Sequence, residues 1–156
     1  MRIASLSWLF VGLAIVSNCH GTTFEGTVVG VADGDTITVL DASNVQHKIR
    51  LSGIDAPEKA QAFGQRSKQS LSDLVFSRVV TAKTSKIDRY GREVGKILVE
   101  GVDANLEQIK RGMAWHYKQY QREQSPAERH VYSTAEGEAR TLKVGLWRDD
   151  DPMPPW

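Results

Sequence analysis

The sequence predicts an α+β protein, mainly β. Three observations carry this. Short runs rich in Val, Ile and Thr recur through the first two-thirds of the chain, one of them with strict alternation of apolar and polar positions. Turn signals built on Asp, Asn and Gly separate these runs. Other segments change to apolar spacings of three and four and open on helix-start residues.

Thr22 to Val31 is Thr- and Val-rich, broken by Gly26 and Gly30, and suits a strand that bends or is closely approached. Asp33-Gly34 is a turn. Thr36 to Leu40 is β-branched and forms the second strand. Asp41 to Asn44 turns the chain again. Val45, His47, Ile49 and Leu51 then alternate with Gln46, Lys48, Arg50 and Ser52, so the third strand is half-buried and Arg50 faces away from Ile49 and Leu51. Pro57-Glu58 is expected to open a helix, with Phe63, Ser67, Leu71, Leu74 and Val75 on one stripe. Val79 to Ser85 and Glu93 to Val99 are two strands joined by the turn Asp88-Arg89-Tyr90-Gly91. Asn105 to Gln108 reads as a capping-box variant before a short helix that directs Leu106 and Ile109 inward and closes at Gly112. Ser125-Pro126-Ala127-Glu128 starts a third helix, with Tyr132, Ala135, Ala139 and Leu142 inside and Gly145 ending it. The tail from Asp149 to Trp156, with three acids and three prolines, is expected to be extended. Five strands with helices inserted after the third and following the fifth suggest a small closed barrel of the OB type.

The chain has 156 residues, 40% apolar and 25% charged, which fits one globular domain and excludes a disordered chain. Residues 1–21 read as an export signal. Arg2 is followed by an uncharged, mostly apolar run of 14 residues from Ile3 to Val16, short of the roughly 20 a membrane span takes. The domain would then be 22–156, with 19 basic and 19 acidic side chains and no net charge. That excludes a general nucleic-acid coating protein, which would be basic overall, and leaves room for a locally basic cleft. The sole cysteine, Cys19, lies in the signal segment. Val16-Ser17-Asn18-Cys19 resembles a bacterial lipobox, with Asn18 where a small residue is usual, so lipidation at Cys19 is an alternative to cleavage after it. The expected location is secreted or periplasmic, with a lipoprotein as the variant.

Chemistry concentrates between Asp33 and Glu58. Asp35 and Asp55 are hard oxygen donors of the kind Ca2+ prefers, or turn acids with no further role. Arg50 and Arg92 offer planar donor forks that fit a phosphate, or are solvated strand residues. Glu58 can take a proton from water, or serves only as a first-turn helix acid. Tyr117 and Tyr120 can stack on a base or pack in the core. His47, His116 and His130 lack metal-ligand spacing and read as structural or exposed. No Walker loop, Gly-x-Ser-x-Gly elbow or zinc cluster is present.

Together, Asp33-Gly34-Asp35-Thr36, Ile49-Arg50-Leu51 with Ile54-Asp55-Ala56-Pro57-Glu58, and Asp88-Arg89-Tyr90-Gly91-Arg92 resemble the thermonucleases of the staphylococcal nuclease family. The likeness continues through Gly112-Met113-Ala114 and Gly145-Leu146-Trp147. It implies a five-stranded OB-fold barrel with three helices, and a monomer that cuts DNA and RNA with Ca2+ to leave 3′-phosphates. By motif position it implies calcium held by Asp35, Asp55 and the carbonyl of Ala56. It also implies phosphate contacts from Arg50 and Arg92, Glu58 as the base, and Tyr120 as a stacking residue, with Lys118 where the family has a second tyrosine. No membrane partner is expected unless Cys19 is lipidated. The competing reading is a non-catalytic OB-fold module that binds nucleic acid or protein.

Overall fold

The computed structural model describes residues 21–156. The export-signal reading of 1–21, and Cys19 with it, lies outside these residues except for Gly21. Five strands close a barrel: β1 (Thr22–Val31), β2 (Thr36–Asp41), β3 (Gln46–Leu51), β5 (Val79–Ile87) and β6 (Glu93–Val99). All neighbours are antiparallel except β3 and β6, which run parallel and close the ring, with Ile49 opposite Glu93 and Arg50 opposite Val94. Short strands β4 (Ile54–Asp55), β7 (Val102–Asp103) and β8 (Trp115–His116) add local pairings, with β4 against β8. The helices are α1 (Gly64–Val75), α2 (Ala104–Lys110) and α3 (Pro126–Thr141), with 3₁₀ turns at Lys118–Glu123 and Gly145–Arg148. The expected barrel with three helices is present.

The turns form as their side chains dictate. Asp41 Oδ1 accepts from the N–H groups of Ser43 and Val45, and Asp88 Oδ1 accepts from those of Tyr90 and Arg92. Both are Asx-type turns that reverse the chain without help from distant residues. Inside the barrel, Val28, Ile37, Val39, Ile49, Leu51, Val80, Ala82 and Ile97 pack with Leu71 and Val75 of α1, Ile109 of α2 and Tyr132 of α3. A second cluster of Trp115, Ala139, Leu146 and Trp147 secures the end of α3.

Three local expectations differ from the structure. The first helix begins at Gly64, not at Pro57. Residues 57–63 form a turn, and Phe63 takes the left-handed conformation at the helix start. A Cβ on Gly64 would lie 2.1 Å from the carbonyl oxygen of Glu58, so the turn folds back onto the helix where only glycine fits. The cap of α2 is Asp103, which accepts from the Leu106 N–H. Asn105 is buried instead: its Nδ2 donates to the carbonyls of Ser52 and Gly95, and its Oδ1 accepts from the Ile97 N–H. α3 ends at Thr141 rather than at Gly145, which opens the following 3₁₀ turn; Leu142 is the exposed cap residue rather than part of the inner face, and Glu136 is buried in that helix.

Asn105→Ala is expected to cost about 3 kcal/mol in urea unfolding, because the Ile97 N–H and the Ser52 carbonyl lose the bonds Asn105 makes to them and the Gly95 carbonyl keeps only the Ser52 N–H, whereas Leu142→Ala should change stability by less than about 0.5 kcal/mol. Comparable losses at the two positions would contradict their placement.

His47 ties β2 to the parallel seam. Its Nδ1 lies 2.6 Å from Glu93 Oε1 and its Nε2 3.1 Å from Asp41 Oδ2. The bond to Glu93 raises the imidazolium pKa above its ordinary value, and Asp41 adds to this against partial desolvation. Asp41 titrates below its usual range, chiefly through the Val45 N–H and His47. The charged bridge therefore contributes stability below the unfolded His value of about 6.5 and above the unfolded Asp value of about 3.9. That contribution fades as pH rises through the raised His value, or falls through the lowered Asp value. His47→Gln should lower the melting temperature most between the unfolded Asp and His values, about 3.9 and 6.5, and progressively less as pH rises through the raised His value. A gap independent of pH would show that the bridge carries no charge.

Candidate active site

The site is built at the corner where β2 starts and the β3–β6 seam closes. Gly34 lies against α1: a Cβ there would sit 1.8 Å from Ser67 Oγ. The buried Gln108 of α2 fixes this contact, donating from Nε2 to the carbonyls of Gly34 (2.8 Å) and Ser67 (3.1 Å). The next residue, Asp35, is thereby held with its carboxylate 9% exposed. Its Oδ1 accepts from Thr36 Oγ1 at 2.9 Å and its Oδ2 from the Ala56 N–H at 3.1 Å.

Arg50 reaches this corner from β3. Its Nη2 lies 2.6 Å from Asp55 Oδ1 and 3.5 Å from Asp35 Oδ2, and its Nη1 donates to the Ile54 carbonyl at 3.1 Å. Arg92, one residue before β6, bonds through Nε to Asp88 Oδ2 at 2.8 Å and reaches Thr36 Oγ1 with Nη1 at 3.5 Å. The Thr36 hydroxyl therefore connects Arg92 to Asp35. Thr36 lay within the sequence motif, but nothing in its residue type marked it as the link.

The electrostatics follow from burial. Desolvation lifts the Asp35 carboxyl well above the ordinary carboxylate range; Arg50 opposes this, and Asp33 and Asp55 add to it. Asp55 is raised for the same first reason, with Glu58 adding to the rise. Desolvation of Arg50 is outweighed by Asp35 and Asp55, so its guanidinium stays charged. One guanidinium thus serves the buried carboxylate of Asp35 and the half-buried one of Asp55. Among the described residues, no group of three or more His, Cys, Asp or Glu side chains forms a metal cage.

Glu58 is exposed on the turn before α1. Its N–H donates to Gln61 Oε1 at 2.7 Å, and among the described residues its carboxylate has no hydrogen bond or ion pair. Its charge is felt at Asp55. Gln61, the residue that holds this turn, carried no signal in the sequence beyond its place after Glu58.

A cleft of about 900 Å³ opens beside the corner. Arg50, Arg92, Tyr117 and Tyr120 line it, as do Tyr90 and Arg89 of the β5–β6 turn, which were not among the predicted site residues. Six basic side chains face three acidic ones around it, so a chain with no net charge beyond its first segment carries a locally positive groove. Asp35, Asp55 and Glu58 do not line the cleft; the two aspartates join it through Arg50. Tyr117 is half-buried, with Arg50 Cζ 5.5 Å from its ring centre and the Tyr120 ring 5.1 Å away. Tyr120 is 47% exposed and lies under the Lys86 ammonium. Both tyrosines are thus at the cleft rather than in the core. His116 is buried against Gln124, and His130 is exposed.

Comparison with known proteins agrees with the sequence motifs. A family model described as "Staphylococcal nuclease homologue" matches residues 48–149. An "Uncharacterized endonuclease" of Haemophilus influenzae is 40% identical over 150 residues, covering 96% of this chain and 81% of that protein. A protein of the same description from Escherichia coli O157:H7 is 42% identical over 133 residues, 85% and 82% of the two chains. A "Micrococcal nuclease" of Shigella flexneri is 38% identical over 151 residues, 91% and 84% of the two chains.

Proposed function

The chain belongs to the staphylococcal nuclease family, and from that membership we propose an exported, calcium-dependent endonuclease that hydrolyses DNA and RNA to leave 3′-phosphates. The observation that carries the reading is the convergence of Asp35, Asp55, Arg50 and Arg92 on one corner of a basic cleft.

The donor set fits a hard divalent cation. The buried Asp35 and the half-buried Asp55 share one guanidinium and are held above their usual pKa, so the corner is short of positive charge. Asp35 and Asp55, with the Ala56 carbonyl, would hold calcium, and water would complete an all-oxygen shell. Held there, the ion would supply charge neutralisation to the phosphate and to its transition state.

The chain's own groups supply the rest. Arg50 and Arg92 present planar forks to the phosphate oxygens, and the fork geometry matters as much as the charge. Glu58, with its carboxylate free, takes the proton of the attacking water as the new P–O bond forms. The bond from phosphorus to the 5′ oxygen breaks, that oxygen gains a proton, and the phosphate stays on the 3′ side. Tyr117 and Tyr120 offer ring faces to bases beside the scissile phosphate.

Plasmid and RNA digestion with titrated Ca2+, with chelator as control, tests this directly. Glu58→Gln is expected to lose about 10²–10⁴ in rate, and Arg92→Lys about 10²–10³, since a point charge cannot replace the fork. A folded wild type that cuts nothing at any Ca2+ level would favour the binding-module reading. Cutting that ignores calcium and both substitutions would place the site elsewhere.

Export is proposed from residues 1–21, whose charged start and short apolar run fit a signal. N-terminal sequencing of the protein recovered outside the cytoplasm should begin near residue 22. An acylated Cys19 would make it a lipoprotein, and an intact Met1 would remove the signal.

A further inference from the structure

A second cleft, of about 440 Å³, lies on the other side of Tyr117, and Tyr117 lines both. Its volume is that of a small-ligand site. Trp115, Trp147 and Trp156 form its aromatic walls. These rings continue outward from the phosphate corner. Arg50 lies over Tyr117; the Trp156 ring is 5.8 Å from Tyr117 and tilted by 37°. Trp156 in turn meets the edge of Trp115 at 6.2 Å, and Trp115 meets Trp147 at 5.6 Å.

We infer that this cleft binds a second nucleobase of the same strand, across the scissile phosphate from the base beside Tyr120, with Trp156 as its stacking surface. The inference rests on the phosphodiesterase reading above and extends it to the length of strand recognised.

The chemistry of the cleft suits a flat uncharged ring rather than a phosphate. Lys118 and Arg140 at its wall are balanced by Glu136 and Asp151, and the first three are paired with one another. Trp156 is 63% exposed, although its ring already touches two others, so ring surface remains open to stacking.

The cleft is also fastened to the catalytic turn. Gln61 Nε2 donates to the Pro154 carbonyl at 3.4 Å, while Gln61 Oε1 takes the Glu58 N–H. The tail that carries Trp156 is therefore anchored to the residue that orients Glu58. The path of the strand would run from the first cleft, past Arg50 and Tyr117, to Trp156.

Binding to the full chain carrying Glu58→Gln, in Ca2+, tests the inference. The probes are thymidine 3′,5′-bisphosphate and thymidine oligonucleotides of two to six units. Adding Trp156→Ala should weaken the oligonucleotides about tenfold, within the range one aromatic stack supplies, and leave the mononucleotide unchanged. Trp156→Phe should recover most of the loss. Equal weakening of the mononucleotide and the oligonucleotides would reduce Trp156 to a structural role and overturn the subsite, as would no weakening. Tighter oligonucleotide binding by Trp156→Ala would make the tail a plug instead. Wild-type cleavage of DNA, assayed alongside, separates failure of the subsite from failure of the nuclease reading.

Discussion

Two carboxylates taken out of water need positive charge beside them, and in this chain Arg50 supplies it. The position of Arg50 is set by the barrel seam. It stands on β3 opposite Thr36 of β2 and Val94 of β6, where the ring closes by its parallel pair. Ile49 and Leu51 on either side are fully buried, so the pleat of the strand directs Arg50 the other way. A one-residue slip of β3 would bury the guanidinium and expose its neighbours. The register that makes the core therefore also makes the site.

The rest of the corner is locked by contacts that leave little slack. Gly34 presses on Ser67, Gln108 ties both to α2, and Ser67 Oγ donates to the Met113 carbonyl at 2.6 Å. Asp35 thus inherits its position from two helices that take no part in chemistry. Glu58 is treated differently. It sits on an exposed turn held by Gln61 and by the close approach of Gly64. The buried charge of Asp35 is thus set in the rigid part, and the Glu58 carboxylate stays in contact with water.

The strands and their turns were legible because their signals are local. Period-two alternation and Asp side chains that cap their own turns need no distant partner. The errors lie where tertiary contacts override such signals. Pro57-Glu58 has the composition of a helix start, yet Phe63 turns left-handed and the helix waits for Gly64, because the backbone there packs against the Glu58 carbonyl. Asn105 is as good a cap type as Asp103, and only the strand it bonds to decides between them. Leu142 continues the spacing of α3, but the helix ends beneath it and the chain leaves at Val144. In the site, the motifs located every acid and arginine of the corner. Thr36 as a bridge, Gln61 as a support and Trp156 as a neighbour of Tyr117 depend on residues that are distant in sequence, and no spacing announces them.

The two clefts differ in a way that follows from where their charges come from. The larger one draws Lys and Arg from β3, β5, β6 and the Asp88–Arg92 turn, all facing one side of the barrel; Lys86, Arg92 and Lys96 are paired with the lining acids Glu123, Asp88 and Glu128, Arg50 with Asp35 and Asp55, and the excess of positive charge rests on Lys83 and Arg89. The smaller one is formed by the end of α3, the Trp cluster and the tail, where each cation already has a carboxylate: Lys118 and Arg140 both answer to the buried Glu136, which also accepts from the His116 N–H. Glu136 cannot be spared from this arrangement, since removing its cations would leave a buried charge without compensation. The balance is thus a structural requirement of α3 and leaves the adjoining surface aromatic and neutral. The first cleft therefore presents positive charge beside its tyrosine rings, and the surface beyond Tyr117 presents aromatic rings with balanced charge.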